Sequence, residues 1–193
     1  MKEKKTKKNL NKKLHKMSKL NSKYTINKAI AIIFPNTNGI KGEVVFTQHS
    51  NIDKCIIEYN IRGLSDGKHG FHIHESGNLI NGCDSACAHF NPYNKNHGSL
   101  NSKERHAGDL GNIVSKNKVS KGKLIAKDIS LNNKKTNIIG RTIIIHQDED
   151  DLGKGKLDKK EESLKTGNAG KRIACGVIGI LWYYKDVYIL GII

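Results

Sequence analysis

Cys55-Ile56-Ile57-Glu58-Tyr59-Asn60-Ile61 decides the fold class. Cys55, Ile57, Tyr59 and Ile61 fall on one side of an extended chain, and Glu58 and Asn60 fall on the other, which is the two-residue period of a strand with one buried and one wet face. The same texture recurs on both sides of this stretch. Ala29 to Phe34, Gly42 to Gln48, Lys123 to Ile129, Arg141 to His146 and Ile173 to Ile180 read as further strands, with turn-forming stretches at Asn36 to Gly39, Ser65 to Gly67 and Asn132 to Asn137. No long helical periodicity interrupts the series, so an all-β sandwich or barrel is predicted. Two segments break the rhythm: Gly77 to Asp109 and Asp148 to Gly170 are long, polar, glycine-rich and poor in strand signal. Loops of that length inside a compact domain are usually functional.

The first of these loops is rich in metal-ligating side chains. Phe71-His72-Ile73-His74-Glu75 puts two imidazoles at i and i+2 of a predicted strand, and both therefore project from one face. His89, His97, His106 and Asp109 follow, and His146 lies downstream. Six imidazoles and one carboxylate are too many for one tetrahedral ion and suit two adjacent ions that share a ligand. Transition-metal chemistry is the first expectation.

Charge narrows the alternatives. The chain of 193 residues is one ordinary domain, or a smaller one with tails, and carries a formal charge of +16. Residues 1–28 hold eleven lysines against Glu3 alone, so +10 of that total lies there. In the remainder the lysines are scattered among acids, with no base-stacking or groove-reading motif, which excludes a nucleic-acid-binding body. A lysine run is first of all a solvated run; a tether to nucleic acid or an anionic surface rests on its charge alone. Lys, Asn and Ile are abundant throughout, as A/T-rich codons favour. The basic start is followed by no apolar run of about seven residues, so no secretory signal is predicted, and Met17 is an alternative start. The expected compartment is the cytoplasm, or the host cytoplasm or virion if the gene is viral. The apolar run Leu181 to Ile193 is broken by Lys185 and Asp186, leaving no uncharged span of about 18 residues, so no membrane helix is expected.

Four segments carry a family resemblance: Gly70-Phe71-His72-Ile73-His74-Glu75, His89-Phe90-Asn91-Pro92, Arg105-His106-Ala107-Gly108-Asp109-Leu110-Gly111-Asn112 and Gly140-Arg141-Thr142-Ile143-Ile144-Ile145-His146. Asp150-Asp151-Leu152-Gly153-Lys154-Gly155, Thr166-Gly167-Asn168-Ala169-Gly170 and Arg172-Ile173-Ala174-Cys175-Gly176-Val177-Ile178-Gly179 extend it. In order and spacing these segments resemble the copper/zinc superoxide dismutases, from about Ala29 to Ile180. The resemblance implies an eight-stranded Greek-key β-barrel or sandwich, immunoglobulin-like, with two long functional loops. It divides the chain into a lysine-rich, disordered tail (1–28), the dismutase domain (29–180) and an apolar extension (181–193).

It also implies roles. His72, His74, His89 and His146 would bind one copper ion per subunit; His89, His97, His106 and Asp109 would bind one zinc ion, with His89 bridging. A neutral imidazole offers one lone pair, so the bridge requires His89 to lose its second proton. Asp150 would bond one copper ligand, His72, and one zinc ligand, His97, fixing both rings. Arg172 would dock superoxide, Lys165 and Thr166 would sit at the channel rim, Glu161 and Glu162 would shape the field, and Cys83 would pair with Cys175. Such an enzyme converts superoxide to oxygen and hydrogen peroxide, works as a homodimer and has a copper chaperone as a partner. A non-catalytic, chaperone-like copper-handling protein is the competing class. Those relatives tend to lose copper ligands and to carry a Cys-x-x-Cys domain; this chain keeps every ligand and has no such motif.

Three departures stand out. Cys87-Ala88 replaces the family's Gly-Pro before the bridging histidine, and Cys87 reads as inert filler, a free thiol or a competitor for Cys175. Cys55 reads as a small buried hydrophobe. Lys156-Leu157-Asp158-Lys159-Lys160 lengthens the second loop. His15, His49 and His69 fall outside the ligand pattern and read as surface or turn histidines.

Overall fold

Alternation along the chain is realised as strand burial. In Cys55–Arg62, the residues Cys55, Ile57 and Ile61 are fully buried, while Glu58 and Arg62 are exposed. The computed structural model describes residues 26–49 and 54–182 and contains eight strands. They are β1 (Lys28–Ile33), β2 (Lys41–Thr47), β3 (Cys55–Arg62), β4 (Gly67–His74), β5 (Asp109–Ser115), β6 (Val119–Ala126), β7 (Thr142–His146) and β8 (Arg172–Ile180). All pair antiparallel in the order β5-β4-β7-β8-β1-β2-β3-β6.

The two edge strands, β5 and β6, are consecutive in the chain, and a two-residue hairpin brings them together. Asn117 and Lys118 both take left-handed φ, 53° and 61°, as the tightest hairpin turn requires. Lys116 and Val119 exchange backbone hydrogen bonds of 3.0 and 3.1 Å across it. The sheet thereby curls into a nearly closed barrel that leaves little edge for another chain to pair with. Phe46, Ile57, Phe71, Ile73, Ile143 and Ile178 fill its interior at 0% exposure. Each such side chain contributes roughly 1.5–3 kcal/mol relative to exposure.

Three details differ from the sequence expectation. β5 carried no separate strand signal, because Asp109, Gly111 and Asn112 interrupt its apolar alternation. β6 begins at Val119 and ends at Ala126, earlier than Lys123 to Ile129, since the hairpin fixes its start and Asp128, at φ 62°, lies beyond its end. The second long loop contains a 3₁₀ turn, Leu157–Lys159, and a short helix, α1 (Lys160–Thr166). Two turns of helix are too few to give a periodic signal, and tertiary packing sustains them. Among the described residues no helix is long and apolar enough to cross a membrane. Most of the lysine-rich tail, including His15, and the segment from residue 183 lie outside the described residues.

Cys83 and Cys175 form a disulfide with Cα atoms 5.7 Å apart, tying the 3₁₀ turn Gly82–Ala86 of the first long loop to β8. Cys55 is buried, and burial pushes its thiol up to about 12, so it behaves as a small hydrophobe. Cys87 is unpaired and exposed. Its backbone sits at φ 64°, ψ −152°, a region that only glycine enters without strain.

Candidate metal centre

β4 runs regularly, so Phe71 and Ile73 enter the core while His72 and His74 leave it on the opposite face. On the neighbouring strand Ile143 and Ile145 point inward, which sends the ring of His146 outward beside them. The first long loop crosses this outer face. A single β-bridge between His74 and His89 pins it, and the Phe90 N–H donates to the Ile73 carbonyl at 2.8 Å.

All seven residues expected to hold metal meet here, buried and in two overlapping groups: His72, His74, His89 and His146, and His89, His97, His106 and Asp109. Within each group the possible ligand atoms lie within 4.8 Å of one another. The first group is strand-borne except for His89. The second is loop-borne except for Asp109, the first residue of β5.

Every ring of the strand-borne group has one nitrogen held from outside. His72 Nε2 donates to Asp150 Oδ2 at 2.8 Å, His74 Nδ1 to the Cys87 carbonyl at 2.8 Å, and His146 Nδ1 to the Gly170 carbonyl at 3.0 Å. These bonds fix the tautomers, so the other nitrogen of each ring carries a lone pair. Those nitrogens, His72 Nδ1, His74 Nε2 and His146 Nε2, together with His89 Nε2, are buried and have no hydrogen-bond partner. Buried polar atoms are rarely left so. Four convergent imidazole nitrogens without partners fit a cation that prefers nitrogen, such as Cu²⁺.

In the loop-borne group three ring nitrogens converge on one oxygen. Asp109 Oδ1 lies 2.8 Å from His89 Nδ1, 3.0 Å from His97 Nδ1 and 3.1 Å from His106 Nδ1. The other oxygen, Oδ2, accepts the main-chain N–H groups of His106 and Gly98 at 2.8 and 3.1 Å, which fixes the carboxylate. His97 donates through Nε2 to Asp150 Oδ1 at 2.8 Å, and its Nδ1 faces Asp109 without a hydrogen bond. A lone pair held against a carboxylate calls for a positive charge between them, and three nitrogens plus one oxygen suit tetrahedral Zn²⁺.

The electrostatics agree with this division. Burial, reinforced by His89, holds His72 down at about 3 against the pull of Asp150. Burial also takes His146 down to about 4 and drives His74 and His89 down. His97 goes the other way: burial opposes its charge, but Asp109 and Asp150 beside its two ring nitrogens carry it up to about 9. Burial alone would raise both carboxyls; hydrogen bonds from the surrounding imidazoles hold Asp109 and Asp150 far below the usual carboxylate range. The strand-borne rings are thus neutral donors, and the loop-borne group favours a cation.

A cleft of about 810 Å³ opens onto the strand-borne group, lined among others by His74, His146, Lys165, Thr166 and Arg172. Arg172 is pinned there by hydrogen bonds to the carbonyls of Cys83 and Asp84, both 3.1 Å, and of Cys87, 2.7 Å. Lys165 is exposed and ion-paired with Glu161 at 2.6 Å, and the Thr166 hydroxyl donates to Glu162 Oε1 at 2.6 Å. Gly167 ends α1 at φ 71°, where a Cβ would collide with Asp150 Oδ1 and His97 Nε2.

Two features escaped the sequence. The Cys87 carbonyl, which holds both His74 and Arg172, is a main-chain atom and leaves no compositional signal. His69 is a correction: it is buried at 1% exposure, not a surface or turn residue like the exposed His49. Its parity with Phe71 and Ile73 was the available clue.

The family model for copper/zinc superoxide dismutase matches residues 40–178. Superoxide dismutase [Cu-Zn] A of Xenopus laevis is 51% identical over 152 residues, covering 79% of this chain and 97% of the relative. Superoxide dismutase [Cu-Zn] of Paramecium bursaria Chlorella virus 1 is 49% identical over 165 residues, 84% of this chain and 85% of that one. Among solved structures, that of the clock protein EA4 superposes with a TM-score of 0.75 at 46% identity, covering 81% of this chain and 96% of the other.

Proposed function

The chain belongs to the copper/zinc superoxide dismutase family, and from that premise we infer that it is an oxidoreductase that converts superoxide to oxygen and hydrogen peroxide. The observation that carries this reading is the pair of buried ligand groups sharing His89, with the inward nitrogens of the strand-borne group unpartnered. His72, His74, His89 and His146 would hold copper, and His89, His97, His106 and Asp109 would hold zinc. Bound copper supplies the one-electron couple, Cu(II)/Cu(I), by which one superoxide is oxidised and a second, with two protons, is reduced.

The remaining work belongs to side chains. His89 presents Nδ1 to the loop-borne group and Nε2 to the strand-borne one, and Nε2 is the atom that takes up a proton and returns it to the forming peroxide. Arg172, held by three carbonyl oxygens, keeps a cationic group fixed on the cleft wall and docks the anion there. Lys165 and Thr166 border the approach; the Glu161 pair offsets part of the lysine's charge, so Arg172 dominates at short range. Asp150 orients His72 and His97 from behind. Electrostatic steering of superoxide and turnover near the diffusional limit are well-known properties of this enzyme class, and they are expected here through family membership.

A homodimer is supported by apolar side chains on paired β1 and β8 and just past their ends. Ile32, Phe34 and Val177 are 38%, 76% and 38% exposed, and together with Ile30 and Leu79 they line one shallow surface depression. A contiguous apolar face of this kind marks a contact with another chain. An exposed unpaired thiol at Cys87 fits a reducing compartment, the cytoplasm, where a copper chaperone would load the site. The lysine-rich tail would add salt-sensitive attraction to nucleic acid or an anionic surface, lost on deleting residues 1–28.

Purified protein loaded with copper and zinc is expected to remove superoxide, and His89→Ala combined with His146→Ala to abolish this. Metal binding at full stoichiometry without turnover would overturn the enzymatic reading in favour of copper handling.

A further inference from the structure

Away from the metal centre, β6 turns Ser120, Leu124 and Ala126 toward the barrel interior and Lys121, Lys123 and Ile125 outward. Beside Ile125, which is 52% exposed, the first long loop leaves a cavity of about 450 Å³ against the end of β6. That volume falls within the roughly 300–1,000 Å³ of small-molecule sites. Ile125 and Leu100 give the cavity an apolar wall. Lys95, Lys103, Arg105 and Lys127 surround it with positive charge, and Asp128 is the one carboxylate against these four cations.

The walls are fixed by hydrogen bonds. Arg105, whose side chain is 3% exposed, donates through Nη1 to the carbonyls of His106 and Ala107 at 2.7 and 3.1 Å. Through Nη2 it donates to the Lys127 carbonyl at 2.9 Å, which joins the loop to the segment beyond β6. Lys95 Nζ donates to the Lys103 carbonyl at 2.6 Å and ties the stretch between them together. The charge, by contrast, is left over. Asp128 is already engaged with Arg105 at 3.3 Å. Among the described residues, the ammonium groups of Lys103 and Lys127 have no ion-pair or hydrogen-bond partner.

Two spare cations match a dianion, and a phosphate monoester carries about two negative charges and three acceptor oxygens near neutral pH. The apolar wall calls for an uncharged body attached to that phosphate. We propose that this cavity binds a small organic phosphate, with the phosphate on the Lys103 and Lys127 ammonium groups and the apolar or aromatic body against Ile125 and Leu100. Lys95 also borders the cleft that holds Arg172, so the ligand lies beside the approach to the metal centre without belonging to it. The inference stands whatever chemistry that centre performs.

Adenosine monophosphate is a suitable probe, titrated into the full-length protein loaded with copper and zinc and kept in the diamagnetic copper(I) state with ascorbate. Amide chemical shifts are expected to move at Ser102, Ile125 and Lys127. Adenosine, which lacks the phosphate, and inorganic phosphate, which lacks the body, should each bind about 10-fold more weakly or less tightly still. Lys103→Ala combined with Lys127→Ala should weaken the nucleotide by about 10-fold or more. Lys134→Ala combined with Lys135→Ala removes the same charge outside the cavity and should leave binding unchanged. Ile125→Ser should weaken the nucleotide while leaving inorganic phosphate unaffected. All five side chains are exposed, so these variants keep the fold. Equal affinity in the two double-lysine variants would overturn the proposal, as would inorganic phosphate binding as tightly as the nucleotide. Shifts confined to the cleft around Arg172, or none at all, would overturn it as well.

Discussion

The two ligand groups use the same kinds of side chain and share His89, but they are mounted differently. Three of the four strand-borne candidate ligands stand on β4 and β7, which are held together by main-chain pairing from Phe71↔Ile145 to His74↔Thr142. Three of the four loop-borne ligands lie in the first long loop, and Asp109, whose two oxygens face five nitrogens, is the point around which that loop is gathered. Ligands on a ladder are aimed by the fold, whereas ligands on a loop help to make the loop's structure. Loss of the first should therefore cost chemistry, and loss of the second should cost stability as well.

The sharpest break in the comparison is at the shared residue. His89→Ala removes a ligand from both groups, and superoxide removal should fall by at least about 10²-fold, the scale of losing one group that acts directly in the reaction. Zinc content measured on the same sample should fall with it. Asp109→Ala should destabilise the metal-free protein by about 3–5 kcal/mol, because buried imidazoles and two main-chain N–H groups lose a charged partner. His74→Ala should abolish copper retention with a much smaller change in the denaturant midpoint. Equal midpoints for these two variants would erase the distinction.

Cys83→Ser should cost about 2–4 kcal/mol, since the bridge closes a long loop, with a sequence separation of 92 residues. Zinc should be lost before copper during dialysis, because the disulfide restrains the loop-borne side. The groups should also respond to pH in opposite senses when metal is removed. His72 and His146, held at about 3 and about 4, stay neutral in the fold while the unfolded chain takes up protons near 6.5. Stability from these rings is full above about 6.5 and declines as pH falls toward 4. His97, raised to about 9, contributes stability that is full below about 6.5 and is lost as pH rises through 9. Denaturant midpoints in chelator should thus fall at both ends, and a curve flat from pH 6.5 to 9.5 would contradict the loop-borne half. The smallest expected effect is a gain: Cys87→Gly should stabilise the chain by about 1 kcal/mol by relieving the positive φ.

Legibility in the sequence followed the same division. β3 could be read from its own alternation, and the two β4 histidines from their i, i+2 spacing, because strand periodicity is a local property. β5 could not, since its polar residues serve the centre rather than the core. α1 was hidden in a polar loop for lack of length. The candidate ligands could be picked out by residue type, but their expected division into two groups came from the family resemblance. Nothing local in Asp150 marks it as the residue behind His72 and His97, which are 78 and 53 positions away. His69 was misread because a histidine outside the ligand spacing looks spare until the carbonyl it meets, 77 residues on, is in view.

Asp150 has only two oxygens, and the fold assigns one to each ligand group. A shift of this carboxylate that strengthens its hold on one ring is felt by the other, so the affinity of either group becomes a function of whether its neighbour is filled. Thermodynamic linkage makes that dependence reciprocal: whatever factor zinc adds to copper affinity, copper must add to zinc affinity. Filling order is then a matter of kinetics and supply, while the fully loaded state is reached with the same free energy by either route.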